Sequence, residues 1–146
     1  MTVPKSWDGK FEDEDGIIWF RKKVELPKEV EGKEGELNLG PIDDADITWV
    51  NGEKVGEIAF WMANRNYKIK PEILKPGENT IRVSVMGNSS QEGIHGKPED
   101  VYPKVNGEKY PLAGEWGYKP SVVSSGYGFS NRGKVQIPLL LFLLMA

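Results

Sequence analysis

The 146 residues suffice for one domain with a real core, and 38% hydrophobic with 28% charged residues is a globular composition rather than a disordered one. With 19 basic and 22 acidic residues the net charge is −3, and no basic stripe is present, which speaks against a nucleic-acid binder. The lack of cysteine removes disulfides, thiolate nucleophiles and cysteine-based zinc sites.

Seventeen glycines and ten prolines argue for many turns, and no long stretch carries apolar residues at helical spacing. The opening "MTVPKSWDGK" has no apolar signal-peptide core, as would also hold for a fragment that had lost its signal. "GIIWFRKKVELP" predicts the first clear strand, ended by Pro27. Its alternation puts Ile18, Phe20, Val24 and Leu26 on a core face interrupted by Lys22, and Trp19 and Arg21 on the opposite face. "GELNLG" predicts a short strand with Leu37 and Leu39 together. In "ADITWVNGEKVG" the Asn-Gly pair predicts a type I′ hairpin turn, and the alternation is read as placing Ile47 and Trp49 in the core. "NYKIKPEIL" sets Tyr67 and Ile69 against Lys68 and Lys70, and "KPGENTIRVSVMG" turns Ile81, Val83 and Val85 inward. "KVNGEKYPLAGEWGYK" predicts a further hairpin. "VNGEK" occurs twice with unmatched flanks, which is one turn chemistry used twice, not a duplicated unit. These elements predict a single all-β sandwich domain over 1–146. The end, "VQIPLLLFLLMA", is too short for a membrane span, which needs roughly 20 apolar residues. It is read first as packing within the fold, with self-association through Pro138–Ala146 as the alternative and a non-native ending as a third.

Catalytic chemistry finds little purchase. His95 is the sole histidine, and neither "GNSS" nor "SSGYG" is a nucleophile elbow. The three aspartates of "PIDDADITW" fail the EF-hand pattern, because the twelfth position counted from Asp44 is Val55; counted from Asp13 it is Val24. No cofactor is expected, and a structural calcium on loop carbonyls is a minor alternative. Asp43, Asp44 and Asp46 are expected to shape the turn before the Trp49 strand, one of them pairing with Arg21. Five tryptophans stand out. "FWMANRNY" lies between strands and combines aromatic faces, which stack on sugar C–H surfaces, with planar polar groups for hydroxyls. Trp61, Arg65 and His95 are the first candidates for carbohydrate contact, and Trp19 with Arg21 the second.

Taken together, "DGIIWFRKKVELP", "LGPIDDADITWVNGEKVG", "NYKIKPEILKPGENTIRVSV", "EGIHGKPEDVY" and "PLAGEWGYK" resemble the accessory β-sandwich of bacterial sialate O-acetylesterase-type proteins. That module is similar to the sugar-binding domain of glycoside hydrolase family two, and both are galactose-binding-like jelly rolls. The resemblance runs over about 7–119, and 120–146 departs from it. It implies a jelly roll that accompanies a catalytic domain of SGNH type without being the catalyst, in a bacterial protein that is secreted or periplasmic. The expected function is non-catalytic binding of a glycan or polysaccharide, with no nucleic-acid or membrane partner. The alternatives are a structural domain bracing an esterase or glycosidase, with the Trp19/Arg21 face buried against it, and a hydrolase in its own right.

Overall fold

A computed structural model describes residues 1–6, 16–87 and 93–122. The expectations for "GNSS", "SSGYG" and Pro138–Ala146 lie outside the described residues.

In chain order the strands are β1 (Thr2–Val3), β2 (Lys5–Ser6), β3 (Gly16–Leu26), β4 (Gly35–Asp43), β5 (Ala45–Val50), β6 (Glu53–Ile58), β7 (Asn64–Ile69), β8 (Gly77–Gly87), β9 (Gly93–Ile94), β10 (Tyr102–Val105), β11 (Glu108–Lys109), β12 (Gly114–Glu115) and β13 (Gly117–Val122). Short 3-10 turns lie at Lys28–Val30 and Pro98–Asp100. A five-stranded sheet runs β13-β3-β8-β5-β6, and a six-stranded one is built around β4, with neighbours β10, β9 and β7 and with β11 and β2 outside them. β1 and β12 form a small ladder of their own. All pairings are antiparallel.

The two larger sheets share one core. Ile18, Phe20, Ile81, Val83 and Val85 from one meet Leu37, Leu39, Ile42, Tyr67 and Ile69 from the other. This is a β-sandwich of jelly-roll type, as the alternation of short strands between turns predicts. Both Asn-Gly pairs make their hairpins: Asn51 (φ 50) with Gly52 (φ 84) joins β5 to β6, and Asn106 (φ 51) with Gly107 (φ 80) joins β10 to β11. Lys22, on the inner side of β3, runs out of the core to give its Nζ to the Glu115 carbonyl at 2.8 Å.

One face assignment is reversed. Trp49 is not a core residue. In β5 the core side carries Asp46, Thr48 and Val50, while Ala45, Ile47 and Trp49 lie on the outer face of the five-stranded sheet. There Trp49 stacks on Trp19 with ring centroids 5.4 Å apart. Asp46 takes the inner side because it has partners across the sandwich, and Thr48 follows it by donating to Asp46 within the same strand.

Candidate functional site

Those partners come from β7. Arg65 is wholly buried, and its Nε donates to Asp46 Oδ1 at 2.7 Å. The Tyr67 hydroxyl lies 3.0 and 2.8 Å from the two Asp46 oxygens, and the Thr48 hydroxyl donates to Oδ2 at 2.8 Å. Burial pushes the Asp46 carboxyl up from its ordinary range, while Arg65, Thr48 and Tyr67 oppose that shift by donating to it. Burial and the neighbouring Asp46 push the Tyr67 phenol well above its usual range, so it remains a donor. Its ring occupies the space above Gly56 of β6, where a Cβ would collide with it.

The rest of the guanidinium faces backbone. Nη1 donates to the carbonyls of Phe60 (2.7 Å) and Ala63 (2.6 Å), and Nη2 to those of Ile58 (3.2 Å) and Asp44 (3.4 Å). All five N–H donors of Arg65 are therefore used within the chain. The loop joining β6 to β7 is gripped from beneath, and its apex points outward: Phe60 is 54% exposed, Trp61 52% and Met62 61%. In a small domain, three neighbouring large apolar side chains at such exposure are the feature that needs explaining.

The candidate residues separate accordingly. Trp61 is at the surface of this apex. Arg65 is not a ligand contact: it has no donor to spare and no exposed atom, and it acts as the anchor of the loop. The arginine that pairs with an aspartate of "IDDAD" is thus Arg65. Arg21 is exposed on the outer face of β3 and makes no ion pair with Asp43, Asp44 or Asp46. The expected pairing failed because Asp46 faces the core. His95 is half-buried beside β4, its backbone N–H donating to the Pro41 carbonyl at 3.3 Å. Pro41 also stands opposite Asn64, at the start of β7, so His95 and the 59–63 loop lie toward one end of β4. Trp19 and Arg21 form a separate group, on the outer face with Trp49.

Asp43 and Asp44, joined by a cis peptide, remain half-buried. Burial, and then the hydrogen bond and charge of Asp44 beside it, raise the Asp43 carboxyl to about 7 against the weaker pull of Arg65. Among the described residues no cluster of three or more His, Cys, Asp or Glu side chains is placed to hold a metal ion.

The sequence did not point to Asp46, Thr48 and Tyr67 as one network. The available signal was the parity of β5: with Val50 in the core, Asp46 and Thr48 must follow it inward, and a buried Asp requires a cation.

No family model matches the chain, and no curated protein does. Solved structures do. The β-glucuronidase of Ruminococcus gnavus superimposes with a TM-score of 0.53 at 25% identity, over 60% of this chain and 16% of that one. The same enzyme in complex with D-glucuronic acid gives a TM-score of 0.53 at 25% identity over the same shares. Its complex with N1-substituted uronic isofagomine gives 0.54 at 26%, again over 60% of this chain and 16% of that one. The chain therefore corresponds to a small part of a much longer glycosidase, and it is the glycoside-hydrolase side of the sequence resemblance, a carbohydrate-related β-sandwich, that these structures support.

Proposed function

We propose that this chain is a non-catalytic carbohydrate-binding sandwich that engages a glycan through the Phe60–Met62 apex, with Trp61 as the stacking side chain. The observation that carries the reading is the pairing of an exposed aromatic apex with a buried anchor: Arg65, held by Asp46 through Nε, uses both Nη1 donors on the loop carbonyls of Phe60 and Ala63 and has no donor to spare. A preset aromatic loses little conformational freedom on binding, and hence retains more of its contact energy as affinity. His95, toward the same end of β4, is the polar side chain assigned to sugar hydroxyls. Isothermal titration against neutral and acidic oligosaccharides tests the reading. Trp61→Ala is expected to lower affinity for a bound neutral oligosaccharide at least tenfold while leaving the unfolding midpoint in place. Unchanged affinity in that variant, or no binding of any glycan at millimolar concentration, would sink it.

The 16% share of the glycosidase chain favours a second reading. In it the sandwich braces a catalytic esterase or glycosidase domain and has no ligand of its own. That reading expects the Trp19–Trp49 face to be covered by the partner domain, and no sugar affinity in the isolated chain.

A further inference from the structure

The outer face of the five-stranded sheet holds an arrangement that the apex does not explain. Arg21 of β3 and Arg82 of β8 stand directly opposite one another in the ladder, and Trp49 of β5 is next in the same row. In the neighbouring row Lys119 of β13, Trp19, Ser84 and Ile47 are aligned. Directly opposed residues project from the same side of a sheet, so Arg21, Arg82 and Lys119 surround the stacked pair Trp19 and Trp49. The small Ser84 lies between the two tryptophan strands and leaves room for the rings to meet.

Two features of this platform are unfavourable in the chain alone. Like charges directly opposite in a ladder repel, and no acid among the described residues pairs with Arg21, Arg82 or Lys119. The contrast with the neighbouring lysines is informative, since Lys23 is paired with Glu78 at 3.0 Å and Lys54 with Glu57 at 2.7 Å. The second feature is the Trp19 indole Nε1, a buried donor with no hydrogen-bond partner among the described residues. A buried donor left unsatisfied is costly. Three cations without an acidic partner among the described residues and two stacked aromatic rings ask for the same ligand chemistry: anionic oxygens attached to a ring with an apolar face.

We propose that the Trp19–Trp49 platform, with Arg21, Arg82 and Lys119, is a second binding surface that selects acidic glycans, those bearing carboxylate or sulfate groups. The rings carry the sugar face, the guanidinium groups take the carboxylate or sulfate oxygens in bidentate fashion, and Lys119 adds a point charge at the β13 edge. Single-stranded nucleic acid shares part of this chemistry, but a chain of net charge −3 opposes a polyanion that runs well beyond three cations. The choice of a glycan rests on the carbohydrate reading above; the selection for negative charge rests on this face alone.

The test uses the full chain and one polymer in two forms: a uronate oligosaccharide and the same oligosaccharide with its carboxylates reduced to alcohols. Binding at least tenfold tighter to the acidic form is expected, with the difference shrinking as salt rises from 50 to 500 mM. Arg21→Gln, Arg82→Gln and Lys119→Gln together should reduce the preference below about twofold, with an unfolding midpoint no lower than the parent's showing that the fold is intact. Trp19→Phe, which keeps an aromatic face and removes the indole N–H, should weaken the acidic form and leave the neutral form unchanged. Equal affinity for the two forms overturns the proposal, as does a preference that survives the triple variant. So does tighter binding of a single-stranded oligonucleotide of equal charge. Trp61→Ala separates the two sites: loss of the neutral form alone supports both, while loss of both forms assigns all binding to the apex and overturns this second surface. A chain that binds the acidic form through the platform and never binds the neutral one overturns the apex reading instead.

Discussion

Replacing Arg65 with Met removes the anchor while keeping an unbranched side chain of similar length. The Asp46 carboxylate then stays inside the sandwich with only the Thr48 and Tyr67 hydroxyls as donors. Breaking a buried ion pair from one side costs about 3–5 kcal/mol, because the remaining charge is neither solvated nor paired. The four carbonyls that lose a donor add little to this, since Ile58, Phe60 and Ala63 border the exposed apex and water can replace the guanidinium there. For a chain of this length, about 3–5 kcal/mol corresponds to a fall in Tm of roughly 6–20 °C, measurable by circular dichroism. The apex should also become more susceptible to limited proteolysis between Ile58 and Asn64. Adding Asp46→Asn to Arg65→Met removes the stranded charge and leaves a side-chain oxygen for the hydroxyls, so the double variant should regain at least about 1 kcal/mol, a coupling expected of residues in one network. A loss below about 1 kcal/mol in Arg65→Met, or further destabilisation by Asp46→Asn in that background, would refute the assignment of Arg65 as the anchor.

Two further outcomes follow from the same region. Gly56→Ala puts a methyl group into the space of the Tyr67 ring; overpacking of this kind costs about 1–3 kcal/mol, and here the displaced ring also loses its hold on Asp46, so urea unfolding should show a loss at or above the upper end. The pH dependence of stability is set in part by Asp43, whose carboxyl is raised to about 7 in the fold from 3.8. The folded chain therefore holds a proton that the unfolded chain has released between pH 4 and 7, so this contribution to stability is complete below about pH 4, falls as pH rises through 7, and is then gone. Asp43 is half-buried and solvent screens part of the effect, so Asp43→Asn should gain about 1 kcal/mol over the parent at pH 8 and nothing at pH 4, as read from Tm across the range.

The strands were legible in the sequence because their signals are local. Two Asn-Gly turns, the alternation around Phe20 and Leu37, and the run Ile81, Val83, Val85 each specify an element from within a few residues. The Phe60–Met62 apex was legible for the same reason, as an aromatic run between two strand patterns. The anchor was not, because Arg65 reads as one more planar polar group in a polar-aromatic loop. Its assignment depends on which side of β7 it occupies, and there it shares a side with Tyr67 and Ile69, which the sequence sets against Lys68 and Lys70 and the fold buries. Carrying that alternation one step back from Tyr67 would have buried Arg65, and a buried arginine demands a carboxylate.

The same parity ties the interior of the sandwich to its outer face. In a strand, successive side chains alternate, so placing Asp46 and Thr48 inward leaves Ile47 and Trp49 no choice but to face out. An apolar residue at position 46 would not alter that parity, but it would strand Arg65 and release the apex. Conversely, a register slip that brought Trp49 inward would expel Asp46, and Arg65 would be left buried and unpaired. The Asp46–Arg65 pair thus disfavours the alternative in which all the large apolar residues of β5 are in the core, the alternative that composition alone would favour. Buried ion pairs add little net stability over well-packed apolar residues, yet losing one partner is expensive. The pair therefore acts chiefly on register. By holding β5 in this register it fixes both surfaces at once: the apex gripped from within through Arg65, and the tryptophan platform presented on the opposite side through Trp49.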